Sequence, residues 1–193
     1  MSRPSKTQRR ISLIIALLLA VFIIIANHYG WFNRLRQAAV VNQPGQYKVV
    51  EFVDGDTIAV DMSGHKETIR FIGVDTPETH DPRKVVQCFG VAAAGFTKNL
   101  IGNNNVRLAS DPLSTNRDRY NRLLRYVYLP NGTLVNAEII KQGYGFAYLS
   151  FPFTKTDEFH TYELQAQAAN RGLWKDCKPT QNQYGGYTSN PAQ

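Results

Sequence analysis

Apolar and polar positions change rhythm along the chain, and each rhythm predicts a different element. Residues 11–26 are apolar at every position except Ser12, so this stretch has no polar face and does not read as an amphipathic helix. Residues 33–45, ending Asn42-Gln43-Pro44-Gly45, carry no period and read as a linker. From Tyr47 onward the pattern shortens. Residues 47–53 and 57–62 are runs rich in strand formers, Ser63-Gly64 marks a turn, and residues 65–74 alternate, with Ile69 and Phe71 on one face and Arg70 and Ile72 on the other. These runs predict a three-stranded meander. Residues 92–100 are helical in composition, and short strands follow at 106–109 and 123–129, the latter turning at Pro130-Asn131-Gly132. A helix over 134–142 is closed by Gly143, and a last helix over 159–170 ends at Arg171-Gly172. Strands first and helices interleaved later, without regular strand-helix alternation, imply an α+β domain with a small barrel. The tail from residue 181, rich in Gln, Asn, Gly, Tyr and Ser, is expected to be disordered.

Arg9-Arg10 leads into the 11–26 run, and Tyr29, Trp31 and Phe32 follow it. A basic flank, an apolar stretch and interfacial aromatics describe a membrane-targeting segment, either an uncleaved transmembrane anchor or a signal that is removed. The anchor is favoured because no small-residue cleavage site directly follows Ala26. Basic residues before the segment put the N-terminus in the cytoplasm and the body outside it, or in the medium if the segment is cleaved. The expected division is a basic flank at 1–10, an anchor or signal at 11–32, a linker at 33–45, one folded domain at 46–177 and a tail at 178–193.

The net charge of +7 changes this picture less than it first suggests. Arg3, Lys6, Arg9, Arg10, Arg34 and Arg36 account for six of the 22 basic residues, and the remainder carries 16 basic against 15 acidic side chains. Any phosphate-attracting field must come from local clustering, such as Arg117, Arg119, Arg122 and Arg125, with Arg70, Arg83 and Lys84 in another segment. Cys88 and Cys177 are the only cysteines. In an exported protein they are placed to pair, with two unrelated buried thiols as the alternative.

Three acids sit at predicted strand ends: Asp56 in Asp54-Gly55-Asp56-Thr57, then Asp75 and Glu78 in Val74-Asp75-Thr76-Pro77-Glu78-Thr79. Carboxylates suit a hard cation such as Ca2+, and Thr76 offers a backbone carbonyl. Each motif alone also makes an ordinary turn. Arg70, in an otherwise apolar strand, needs a polar site or the surface, and with Arg122 it offers planar donors for a phosphate. Strict alternation puts Arg70 and Asp75 on opposite faces, so their convergence requires a bend around residues 73–77.

Taken together, Asp54-Gly55-Asp56-Thr57, Arg70, residues 74–79, Phe96-Thr97-Lys98, Asp118-Arg119-Tyr120-Asn121-Arg122, Val135-Asn136 and Arg171-Gly172-Leu173-Trp174 resemble the staphylococcal nuclease family, in order and spacing, over residues 46–175. The resemblance implies a five-stranded oligonucleotide-binding (OB-fold-type) barrel with three helices, acting as a monomeric domain that hydrolyses DNA and RNA with calcium. It implies Asp56, Asp75 and the Thr76 carbonyl as metal ligands, Arg70, Glu78 and Arg122 as catalytic residues, and Tyr120 as a wall of the nucleotide pocket. Two departures stand out. Asn121 replaces the glycine usual between Tyr and Arg, and Val91-Ala92-Ala93-Ala94 lacks an acidic residue often found at the start of the first helix. His28, His65, His80 and His160 match no catalytic position. The rival reading from another class is a membrane-tethered OB-fold module that binds oligonucleotides without cleaving them. A structural calcium-binding domain is a third, and it leaves the arginines without a role.

Overall fold

The alternating run after residue 45 becomes the first strand of a closed barrel. The computed structural model describes residues 6–28, 45–79, 85–183 and 186–192. Strands β1 (Gln46–Asp54), β2 (Thr57–Met62) and β3 (His65–Phe71) form the expected antiparallel meander. A short β4 (Val74–Asp75), helix α2 (Gly90–Ile101), β5 (Asn105–Ala109) and β6 (Leu123–Tyr128) follow. The barrel order is β1-β2-β3-β6-β5, and β5 closes it by pairing with β1. β3 and β6 run parallel, with Ile69 opposite Leu123 and Arg70 opposite Leu124. A parallel pair needs a long crossover, which α2 and β5 supply. This five-stranded closed barrel fits the OB-type architecture.

After the barrel come α3 (Val135–Lys141), β7 (Phe146–Ala147), α4 (Thr156–Ala168) and the single turn α5 (Leu173–Asp176). The core gathers Ile58, Val60, Ile69 and Phe71 from the meander, Val106, Leu123 and Val127 from β5 and β6, and Ile139, Ile140 and Phe159 from the helices, all essentially inaccessible to solvent. Each such side chain contributes roughly 1.5–3 kcal/mol by leaving water. Asn136 is wholly buried and ties these layers together. Its Oδ1 accepts from Val127 N, while its Nδ2 donates to the carbonyls of Ile72 and Arg125.

The run expected as one strand over 65–74 is broken. A turn at Ile72-Gly73 separates β3 from β4, and β4 pairs with β7. Gly73 has φ +72°, and a Cβ there would lie 2.7 Å from the Phe153 ring and 2.8 Å from Phe159. Both the backbone conformation and the crowding demand glycine. Periodicity could not register β4 or β7, each two residues long.

Cys88 and Cys177 form a disulfide, with an S–S distance of 2.08 Å and a Cα–Cα distance of 5.7 Å. The tail expected to be disordered at 178–193 is instead folded across its described residues. β8 (Thr180–Gln181) pairs with β9 (Tyr187–Thr188), and Ser189 is buried. Cys88 N donates to Asn190 O at 2.7 Å, Ala192 N donates to Val86 O at 2.9 Å, and the Tyr187 ring lies 4.8 Å from that of Trp174. Polar composition misleads here because backbone pairing and one aromatic anchor hold the segment, where an apolar face usually would.

The chain divides into two units, residues 1–43 and 44–193. Helix α1 (Lys6–His28) forms through a stretch free of proline and glycine. Its large apolar side chains between Ile15 and Ile25 are exposed. Among the described residues no helix is long and apolar enough to cross a membrane, so the transmembrane helix expected at 11–32 is not found. Tyr29, Trp31, Phe32, residues 33–44 of the linker, His80, Arg83 and Lys84 lie outside the described residues.

Candidate active site

The β1–β2 hairpin supplies the first acids. Asp54 pairs with Thr57 across a turn made by Gly55 and Asp56, and Asp54 Oδ1 accepts from Gly55 N at 2.8 Å. Gly55 lets another segment come close, since a Cβ there would stand 2.8 Å from Thr76 Oγ1. Thr97 in α2 donates its hydroxyl to Gly55 O at 2.6 Å and so fixes the turn from behind. Asp56 is only 6% exposed. Its Oδ1 accepts from the Thr57 hydroxyl at 2.9 Å, and its Oδ2 accepts from Thr76 N at 2.8 Å and Thr76 Oγ1 at 3.1 Å.

Arg70 lies opposite Thr57 in the β2–β3 ladder, which brings its guanidinium to this hairpin. Nη1 stands 2.8 Å from Asp56 Oδ2 and donates to Val74 O at 2.7 Å, and Nη2 reaches Asp75 Oδ1 at 3.0 Å. The bend at Gly73 is what allows this, bringing Asp75 back to the face that alternation denied it. Burial works against the Arg70 charge, but Asp56 and then Asp75 more than restore it, and its pKa is raised.

Asp54 shows the opposite balance. Burial first, then the charge of Asp56, push its carboxyl up to about 6, against the pull of hydrogen bonds from Gly55 N and the Thr79 hydroxyl. Glu78 shares a hydrogen bond with Asp54, and Glu78 Oε1 accepts from Thr79 N at 3.0 Å. Glu78 is thus joined to the acidic hairpin through Asp54 and Thr79. Asp75, Thr76 and Glu78 line a cavity of about 160 Å³, together with Gln87, Phe146, Thr188 and Ser189.

Arg122 and Tyr120 occupy the loop before β6. Asp118 organises that loop: its Oδ1 accepts from the backbone N–H groups of Tyr120 and Arg122, and its Oδ2 accepts from Arg122 Nε at 2.7 Å. Burial would raise the Asp118 carboxyl, but the backbone and guanidinium bonds of Arg122 draw it below its usual range. Asn121 has φ +66°, the left-handed conformation that the usual glycine would supply and that asparagine tolerates. Tyr120 is 61% exposed, with the Arg119 and Arg122 guanidinium carbons 4.8 and 5.4 Å from its ring centre. The parallel β3–β6 pair sets this loop beside the strand carrying Arg70, yet Arg122 forms its ion pair with Asp118. The structure therefore gathers Arg70, Asp56, Asp75 and Thr76 in direct contact and links Glu78 to them. It holds Arg122 and Tyr120 on a neighbouring loop.

Asp54, Thr79, Thr97 and Gln87 complete the surroundings. Asp54 was visible inside its motif, whereas nothing in Val86-Gln87-Cys88 marks Gln87. The oxygen-only set of Asp56, Asp75 and the Thr76 carbonyl fits a hard cation that keeps water in its shell. Among the described residues no group of three or more His, Cys, Asp or Glu side chains is placed to hold a metal ion.

A closed five-stranded barrel with Asp54, Asp56 and Asp75 gathered near a partly buried Arg70 fits the class of small OB-type barrels. The family model for staphylococcal nuclease homologues matches residues 68–176, and the chain belongs to that family. It is 40% identical to the thermonuclease of Staphylococcus hyicus over 67% of this chain and 76% of that one. It is 36% identical to endonuclease YncB of Bacillus subtilis (strain 168), over 76% of this chain and 72% of the relative. The thermonuclease of Staphylococcus intermedius is 35% identical over 67% and 76% of the two chains.

Proposed function

We propose that this chain is a nuclease, a calcium-dependent phosphodiesterase that hydrolyses DNA and RNA with little sequence specificity. The observation that carries the reading is the partly buried Arg70 guanidinium held between Asp56 and Asp75, with Thr76 bonded to the same Asp56 carboxylate. Family membership and the thermonuclease and endonuclease relatives support the same class. Asp56, Asp75 and the Thr76 carbonyl would hold calcium, which when bound supplies positive charge beside the scissile phosphate. Arg70 and Arg122 donate to the phosphoryl oxygens as negative charge builds in the transition state. Arg122 exchanges Asp118 for the phosphate, or shares its remaining donors with it. Glu78 orients the attacking water and accepts its proton. Tyr120 offers an exposed ring to a nucleotide, which is sequence-tolerant because every base has a π face.

The test is incubation of the purified protein with single-stranded DNA, and separately with RNA, in calcium and then in excess chelator. Hydrolysis abolished by chelator and restored by calcium supports the reading. Binding without cleavage in every metal condition would instead favour the non-catalytic module.

The N-terminal segment is proposed to tether a monomeric catalytic domain to the membrane, with that domain outside the cytoplasm. Support comes from the uncharged 11–26 run behind Arg9-Arg10, the exposed apolar side chains of α1, and a disulfide suited to an oxidising compartment. Full-length protein washed from membranes by salt, or recovered in the medium beginning after residue 26, would overturn the tether.

A further inference from the structure

Both main-chain polar groups of Glu78 go to a single residue nine positions on. Gln87 Oε1 accepts from Glu78 N at 2.8 Å, and Gln87 N donates to Glu78 O at 3.0 Å. Gln87 also lines the cavity shared by Asp75, Thr76 and Glu78. Its own position is set from the far end of the chain. Gln87 forms a bridge with Pro191, flanked by the bonds from Cys88 N to Asn190 O and from Ala192 N to Val86 O. The Ser189 hydroxyl donates to Cys88 O at 2.7 Å, and Asn190 Nδ2 donates to the carbonyls of Cys177 and Lys178, each at 3.1 Å. The tail is thereby fastened to both sides of the Cys88–Cys177 bridge.

We propose that Gln87 is a positioning residue for Glu78, and that the C-terminal segment, locked across the disulfide, is the scaffold that keeps Gln87 in place. The inference rests on Glu78 acting on the attacking water. A carboxylate that must meet a water in one geometry is sensitive to its backbone, because a displacement of about 1 Å can cost on the order of 10²-fold in rate. The arginines that grip the phosphate are carried by β3 and by the loop before β6, so substrate affinity does not depend on this relay. Thr188 and Ser189 close the same cavity, so the tail contributes a wall as well as a scaffold.

The test compares full-length Gln87→Met, which keeps length and loses the acceptor, with Gln87→Glu, which keeps an acceptor, using a single-stranded DNA oligonucleotide in calcium. Gln87→Met is expected to lower kcat roughly 10- to 100-fold. KM should stay within about twofold and the far-UV spectrum should be unchanged. Gln87→Glu should recover most of the lost kcat. Asn190→Ala, which loosens the tail, should lower kcat in the same direction, and adding it to Gln87→Met should cost little more, since residues acting through one path are not additive. Wild-type kcat in Gln87→Met, equal losses in the Met and Glu variants, or a loss matched by unfolding would overturn the positioning role. Additive losses in the double variant would overturn the part assigned to the tail. Glu78→Gln, run alongside, separates the two levels. Near-normal hydrolysis by Glu78→Gln sinks the role of Glu78 itself, whereas an inactive Glu78→Gln beside a fully active Gln87→Met sinks only the positioning.

Discussion

In the proposed reaction Glu78 and Arg122 both serve the phosphate chemistry, yet their removal should separate cleanly in kinetics. Glu78→Gln keeps the size of the side chain and loses the base, so turnover should fall about 10²- to 10⁴-fold while oligonucleotide binding stays near wild type. Arg122→Ala should lower both turnover and binding, because the guanidinium serves the phosphate in ground and transition states. It also leaves Asp118 without its guanidinium partner, so part of the effect will appear as loosening of the Tyr120 loop. His160→Ala is the control, since no assigned step uses an imidazole. Single-turnover rates and filter binding on the same oligonucleotide decide between these outcomes, and near-normal turnover by Glu78→Gln would mean that the base lies elsewhere. The acids, arginines and Asn121 were legible in the sequence because their motifs recur together. Gln87 was not, because its function depends on a contact with the tail that no local pattern encodes.

Strand ends and helix faces explain why some elements could be read and others could not. The meander was legible because Ile69 and Phe71 alternate with Arg70, but the bend that delivers Asp75 to Arg70 hangs on Gly73 alone. Gly73→Ala should destabilise the domain by at least about 1–3 kcal/mol, the cost of a strained backbone before any crowding by Phe153 and Phe159. Activity should fall further than the folded fraction does, and urea denaturation followed by both probes would check this. Glu163 in α4 is a second case: it is buried, and its Oε1 accepts from Ala147 N at 2.9 Å, which pins α4 to β7. Burial raises its carboxyl above 4.5, against the pull of the Ala147 N–H and His160. The neutral form therefore favours folding, a contribution fully present below pH 4.5 and lost as pH rises through the higher folded value. Glu163→Gln keeps the acceptor and stays neutral. Its melting temperature relative to wild type should be higher at pH 8 than at pH 4. A difference that does not change with pH would show that the Glu163 carboxyl ionises over the same pH range in the folded and the unfolded chain.

At the scale of the whole molecule, the barrel was legible as a class, and its closure was not. The parallel β3–β6 pair joins segments far apart in sequence, and alternation within a strand says nothing about its neighbours. The tail was misread for a related reason, since its backbone pairing with residues 86–88 leaves no mark on composition. The Cys88–Cys177 link should contribute about 2–4 kcal/mol by restricting the unfolded chain. The double Cys→Ser variant should show that loss in equilibrium denaturation, and an unchanged midpoint would mean that the folded tail alone holds these segments together. The same link spans 89 positions and has a consequence for survival among proteases. The stretch between its ends includes a loop with exposed Leu113 and Tyr120, an accessible place for a protease to nick the chain. A protein cut once there remains a single covalent particle, its two pieces joined through sulfur and by the barrel strands on either side. On a gel it should migrate as one band until thiol is added and as two afterwards, and a nick that does not reach Arg122 should leave the enzyme working.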